Sequence, residues 1–395
     1  MIEKVQQRGA NEHAQWKASS GILLLLCAAL ALGWANTHAA SYQAVFEYPL
    51  AIPTGSPPIR FSVRALINDG LMTLFFLVVG IEIKRELVVG ELNTIAKATL
   101  PAFAALGGMV VPACLFVAFN SRGLGLRGWG IPMATDIALC IGIFALLKTH
   151  VPRGLVVFIT ALAIFDDIGG VLVIALFYGH SVSVAWLCGA SVLSLILLGM
   201  NRGGVMNGLA YALVGCGLWY GLHRGGVHAT IAGIVLGLMI PTRSQRVSPP
   251  RFAESLHLFV SFVVMPLFAL ANAGVSMRGG VRDAASPVAL GTALGLFVGK
   301  PLGVFGMTVL SIKLRLAEAP ASATRIQLFG AAILTGMGFT VALFIGDLAY
   351  DSAPELLDQA KVGVLLGTIV SGILGFVVLR LCRSASPAPC RRSPS

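Results

Sequence analysis

The chain has 395 residues, 56% of them hydrophobic and only 11% charged, with 28 Lys and Arg against 17 Asp and Glu. A soluble protein carries about a quarter charged residues, so this balance and a mean hydropathy of +0.86 exclude one and indicate a single integrated membrane domain. The net charge of +11 fits basic loops on one side of a membrane, not nucleic acid, because the basic residues cluster in alternate connections. The seven cysteines are scattered, without CxxC or metal spacing. They read as packing residues, and no cofactor is expected.

In chain order, twelve apolar spans can be drawn: 20–36, 62–83, 97–119, 126–147, 154–178, 182–200, 205–221, 225–241, 254–275, 287–310, 327–347 and 359–381. The first follows a polar segment with Lys4, Arg8 and Lys17 and lacks a cleavage signal, so it reads as a retained helix. An even number places both termini on one side. With the N-terminus inside, inner segments hold 19 Lys and Arg and outer segments 8, with Lys300 inside a span. Both termini are therefore expected in the cytoplasm. The longest outer connection, 37–61, contains "AVFEYPLAIPTGSPP"; a hairpin about Pro53-Thr54-Gly55 and an irregular loop both satisfy it. The tail 384–395, "SASPAPCRRSPS", is expected to be disordered and cytoplasmic.

Charge within the spans needs a reason, since a charge near the bilayer centre costs at least about 2.5–3.5 kcal/mol. The candidates are Asp69, Asp136, Asp166, Asp167 and Lys300, with His228 as a polar neighbour. Asp166 and Asp167 are adjacent in "ALAIFDDIGGVLVIALF". Neighbours on a helix point about 100° apart, so one carboxylate can pair with a cation while the other faces a water-filled cavity. Lys300, followed by Pro301, is expected on a locally distorted helix at the same depth. A salt bridge from Lys300 to Asp166 or Asp167 is the economical inference.

Two spans look broken: the fourth at Gly130, Pro132 and Thr135-Asp136, and the eleventh at Gly336 and Gly338, flanked by Thr335 and Thr340. Unwound backbone at membrane depth is tolerated where it is buried in protein or lines a cavity. Paired breaks in two halves point to a transporter binding site. The repeats would be 97–178 and 287–381, in inverted orientation. Asp136 can offset two converging helix N-termini, and Lys300 converging C-termini. Carboxylate oxygens bind small cations and protons alike, so the two can compete for one site.

Here a resemblance becomes specific. "LINDGLMTLFFLVVGIEIKREL" (66–87), "PMATDIALCIG" (132–142), "FDDIGG" (165–170), "GVHATIAGIVLG" (226–237), "PLFALANAGVS" (266–276), "GLFVGKPLG" (295–303) and "TGMGFTVALFI" (335–345) resemble, in order and across nearly the whole chain, the NhaA-type sodium/proton antiporters of bacterial inner membranes. The resemblance implies an all-α polytopic fold of about 12 transmembrane helices with inverted repeats and two broken crossing helices. It implies exchange of cytoplasmic Na+ (and Li+) for external H+, electrogenic and pH-regulated, with no cofactor. Asp167 would be the principal cation ligand and Asp166 the partner of Lys300, with Asp136 and Thr135 the polar positions at the break. His228, Glu82, Arg85, Glu86, Glu254 and His257 would match positions tied to pH response. Asn68 and Asp69 match the polar pair of the second span. A homodimer through the outer hairpin, about 43–61, is also implied. The chain departs from the family's Glu-His-x-x-His pattern: it reads "ESLH" (254–257), with Ser255 in place of the first histidine, which bears on the pH set-point.

Three other classes use similar residues. An intramembrane aspartyl protease expects a Gly-x-Gly-Asp motif, and "FIGD" (344–347) lacks its first glycine. A proton-coupled symporter of a small solute would need more aromatic or polar lining. A passive channel is at odds with broken crossing helices.

Overall fold

The computed structural model describes residues 2–52, 59–90, 92–147, 151–179, 183–241, 250–276 and 280–382. The tail 384–395 and the Pro53-Thr54-Gly55 turn lie outside these residues.

Each of the twelve apolar runs contains helix. Helix α1 is Ile2–Thr37 and α2 is Ala39–Phe46. Strand β1 (Pro49–Ile52) pairs antiparallel with β2 (Ile59–Ser62), Pro49 opposite Ser62, so the outer connection is a hairpin and not an irregular loop. Ser62 then starts α3, Val63–Val88, its hydroxyl accepting from the Ala65 amide at 3.1 Å. There follow α4 (Ile95–Phe119), a 3-10 segment (Leu124–Met133), α5 (Ile137–Leu146), α6 (Arg153–Phe177) and α7 (Val184–Arg202). Helix α8 (Gly208–Arg224) is capped by Asn207 and α9 is Ile231–Met239. Helix α10 is Ala253–Asn272 and α11 is Pro287–Lys313. Helix α12 (Arg325–Leu334) opens on a capping box of Thr324 and Gln327, followed by α13 (Phe339–Ala349) and α14 (Pro354–Leu381).

Among the described residues nine helices are long and apolar enough to cross a membrane, and α12 with α13, bent by 44° at their break, make a tenth. The predicted spans 205–221 and 225–241 are present as helices of 17 and 9 residues, shorter than a full crossing. The protein is all-α and polytopic, the hairpin aside. Lys361, placed by sequence in an outer segment, lies inside α14 and is only 4% exposed.

Small residues set the close crossings. Helices α4 and α11 meet at Gly107 and Gly303, where a Cβ on either would overlap the other's backbone. That approach is the small-residue packing of membrane interfaces, and it brings the segment bearing Lys300 against α4 and towards α6. One buried core unites most of the helices, while Ala190, Leu197, Tyr211, Leu218 and Ala232 form a smaller core among α7, α8 and α9.

Candidate cation and proton site

Both predicted breaks are real, and they touch. The fourth span passes from the 3-10 segment ending at Met133 through Ala134–Asp136 into α5. The eleventh breaks at 335–338. The Asp136 amide donates to Met337 O at 2.6 Å. The Asp136 carboxylate caps α5 by accepting from the Leu139 amide at 3.2 Å. Its Oδ2 also accepts from the Thr340 amide at 3.1 Å and the Thr340 hydroxyl at 2.7 Å, in the first turn of α13. One carboxylate thus serves two converging N-termini, where unpaired amides and dipoles favour negative charge.

Helix α6 brings its two aspartates to this crossing. Asp166 Oδ2 accepts from Lys300 Nζ at 2.6 Å, with both side chains fully buried. Lys300 also donates to the carbonyl of Met133, the last residue of the 3-10 segment, so its charge meets a helix C-terminal end. The Thr135 hydroxyl lies 2.7 Å from Asp166 Oδ2 and 2.9 Å from Thr335 O. The distortion expected near Lys300 is a π-helical turn at Gly295–Gly299, immediately before Lys300-Pro301. Asp166 Oδ1 is buried and has no hydrogen-bond partner among the described residues. A buried acceptor left without a partner demands a proton, a water or an ion.

Asp167 has a different neighbourhood. It makes no side-chain hydrogen bond among the described residues and lines a cavity of about 310 Å³. Thr135, Asp136 and Thr340 line the same cavity, and so do Glu82, Arg85, Glu86 and His257. Arg85 is exposed, so the cavity joins Asp167 to the surface at the C-terminal end of α3. The 100° between adjacent helical positions separates one carboxylate bound to an ammonium from one that faces the cavity. The oxygens gathered here are hard donors suited to an alkali cation or a proton. Among the described residues no cluster of three His, Cys, Asp or Glu side chains could hold a metal ion.

The other sequence-selected residues divide. Glu82 Oε1 lies 3.2 Å from His257 Nε2, and His257 Nδ1 lies 3.2 Å from Ser261 Oγ, so α3 and α10 are joined at the cavity mouth. Glu254 is exposed and outside the cavity lining. His228 also lies outside it, its ring edge towards Phe344 at 6.4 Å between centroids. Asn68 and Asp69 lie in a π-helical turn of α3, Leu66–Leu71, away from the cavity. Asn68 belongs to a buried network that sequence reading missed: its Nδ2 donates to Asp347 Oδ2 at 2.7 Å, and its Oδ1 accepts from Asn272 Nδ2 at 2.7 Å. The available signal was an asparagine inside the apolar run "PLFALANAGVS" and an aspartate ending the eleventh span.

The family model described as Na+/H+ antiporter 1 matches residues 11–379. A protein named Na(+)/H(+) antiporter NhaA from Anaeromyxobacter sp. (strain Fw109-5) is 48% identical, covering 94% of this chain and 92% of the relative. Na(+)/H(+) antiporter NhaA 1 from Myxococcus xanthus (strain DK1622) is also 48% identical, covering 94% and 93%. Na(+)/H(+) antiporter NhaA from a Nitratiruptor species is 44% identical, covering 94% and 97%.

Proposed function

The chain belongs to the Na+/H+ antiporter 1 family of multi-pass membrane proteins, and from that premise we propose that it exchanges cytoplasmic sodium for external protons at Asp167 and Asp166. The observation that carries this reading is the division of labour on α6: Asp166 is paired with Lys300, while Asp167 stands at the end of a cavity reaching the surface. In the cycle, sodium enters from the cytoplasm past Glu82 and binds deprotonated Asp167, with Asp166 Oδ1 and the Thr135 hydroxyl as further oxygen donors. The crossing of broken helices then turns the site outward, and external protons displace the ion. Competition between cation and proton for the same oxygens couples the two flows without covalent chemistry.

The bias of basic residues supports an inner-membrane orientation with both termini cytoplasmic. The cavity mouth then faces the cytoplasm, because Glu82, Arg85 and Glu86 end the second span. Lithium, also a small hard cation, fits the same donors. The Glu82–His257 contact supports a pH response at the mouth, since it is an ion pair only while the imidazole is protonated. The two-stranded hairpin, whose strands pair only with each other among the described residues, supports pairing of two copies.

The test is sodium-induced collapse of a pH gradient in inside-out vesicles. Wild type should exchange and Asp167→Asn should not, with membrane insertion unchanged. Normal exchange with unaltered apparent sodium affinity in Asp167→Asn would remove the cation-site assignment. A symporter would need an added organic solute before any proton flux appeared.

A further inference from the structure

Among the described residues the cavity reaches Asp167 from the Glu82–His257 side, and two tiers of residues close the opposite side. Along α13, Thr340, Phe344 and Asp347 succeed one another at spacings of four and three, on one face. Thr340 is bonded to Asp136. One turn on, Phe344 packs against Phe76 at 5.6 Å and Phe268 at 6.3 Å between ring centroids. One turn further, Asp347 Oδ2 accepts from Asn68 Nδ2 at 2.7 Å. Asn68 is held in turn by Asn272, its Nδ2 3.2 Å from Asn272 Oδ1 and its Oδ1 accepting from Asn272 Nδ2 at 2.7 Å. Asn272 is fully buried, and its amide is fixed by Phe268 O at 3.0 Å.

This bond joins different parts of the molecule. Asn68 is on α3 and Asn272 ends α10, the helices that form the cavity mouth through Glu82 and His257. Asp347 is on α13, the half-helix tied to Asp136 at the crossing. Alternating access requires the crossing to move against its surroundings, and the external route must open once in each turnover. A hydrogen bond spanning that route cannot survive the opening. Lys361 on α14 has Asp347, Asp358 and Glu47 among its attractive charged neighbours and Arg64 as a repulsive one, so Asp347 already faces a second partner, a cation, when the bond breaks.

We propose that the Asn68–Asp347 hydrogen bond, braced by Asn272, is the latch that keeps the external route shut while the cation site faces the cytoplasm, making Asp347 a positioning residue of the exchange cycle. The proposal rests on the antiport reading above. A latch acts on the equilibrium between inward-facing and outward-facing forms. The affinity seen from each face is reduced by the fraction of molecules in the competent form. The ratio of the two apparent affinities therefore follows the equilibrium itself, whatever the starting populations.

The experiment measures apparent sodium affinity in vesicles of both orientations, at equal pH on the two sides, for wild type, Asp347→Ala, Asn68→Ala and Asp347→Asn. A hydrogen bond to a charged group is strong enough that its loss should raise the outside-to-inside affinity ratio by about tenfold. Asp347→Ala and Asn68→Ala should both do so. Asp347→Asn keeps an acceptor for Asn68 but not its charge, so it should raise the ratio by about threefold, between wild type and the alanine variants. If a variant is not monodisperse in detergent, Asn68→Ser makes the same test. An unchanged ratio, or equal loss of affinity from both faces, overturns the latch and leaves a structural contact. Failure of the antiport reading looks different: wild type itself would show no sodium-dependent proton flux.

Discussion

Lys300→Met is the perturbation whose outcome the structure fixes most tightly. The ammonium lies 2.6 Å from Asp166 Oδ2, and neither side chain is exposed to solvent. Removing one member of a buried pair leaves an uncompensated charge and costs about 3–5 kcal/mol. Unfolding entropy of about 2.1 cal/mol/K per residue gives about 0.8 kcal/mol/K for a chain of this length, so the midpoint should fall by about 4–6 °C. Asp166→Leu should cost a comparable amount, because it takes the counter-charge from a fully buried ammonium and leaves it facing the neutral Met133 carbonyl. The double variant Lys300→Met, Asp166→Leu removes both charges and should recover most of the loss, since replacing a whole buried pair by apolar residues is close to neutral. The assay is thermal unfolding in detergent for all four members of the cycle, with sodium-driven proton flux measured in parallel. Strictly additive losses would refute the reasoning, for they would show that the two groups do not stabilise one another. A stable double variant that transports normally would separate the ion pair from exchange altogether.

Asp136→Ala removes the shared cap of α5 and α13 and should lower the midpoint by about 2–5 °C, from about 2–4 kcal/mol for three lost hydrogen bonds; Thr340→Val, losing one of them, should cost less. Gly303→Val should prevent recovery of monodisperse protein, because its side chain meets the Gly107 backbone, whereas Gly306→Ala, with nothing within 4 Å of an added Cβ, should behave as wild type in size-exclusion chromatography. Glu82→Gln should shift the pH profile of exchange. Glu82 Oε1 lies 3.2 Å from His257 Nε2 and ties α3 to α10 at the cavity mouth, so removing the carboxylate unties the mouth. A pH profile in inside-out vesicles that does not move would detach this pair from regulation.

The parts of the site that sequence exposes are those where polarity contradicts its surroundings. Two adjacent aspartates in an apolar run, a lysine before proline in another, and glycine with threonine in two more were each legible because a membrane makes every one of them costly. Helical periodicity then separated Asp166 from Asp167 before any coordinates. What the residue pattern alone left open, and only the family resemblance assigned, was choice of partner. Nothing local in the chain says that Lys300 takes Asp166 and not Asp167; the approach of α4 to α11 at Gly107 and Gly303 decides it. Asn68 was visible as a polar residue, but its contacts with Asn272 and Asp347 join positions more than 200 residues apart. Shortness misled in the opposite sense: the ninth helix is only 9 residues, and hydropathy alone could not distinguish it from a full crossing.

The assignment of Asp166 to the lysine and Asp167 to the cavity rests on rotation about one helix axis. Deleting or inserting one residue between Arg153 and Phe165 would turn both carboxylates by about 100° while leaving the hydropathy of α6 almost unchanged. The lysine would lose its counter-charge and the cavity its ligand in one event. Leu, Ile and Val along this stretch can be exchanged for one another at modest cost; its length cannot change at all. In α6 a genetic frame of helical phase, more than amino-acid composition, is what mutation must leave intact.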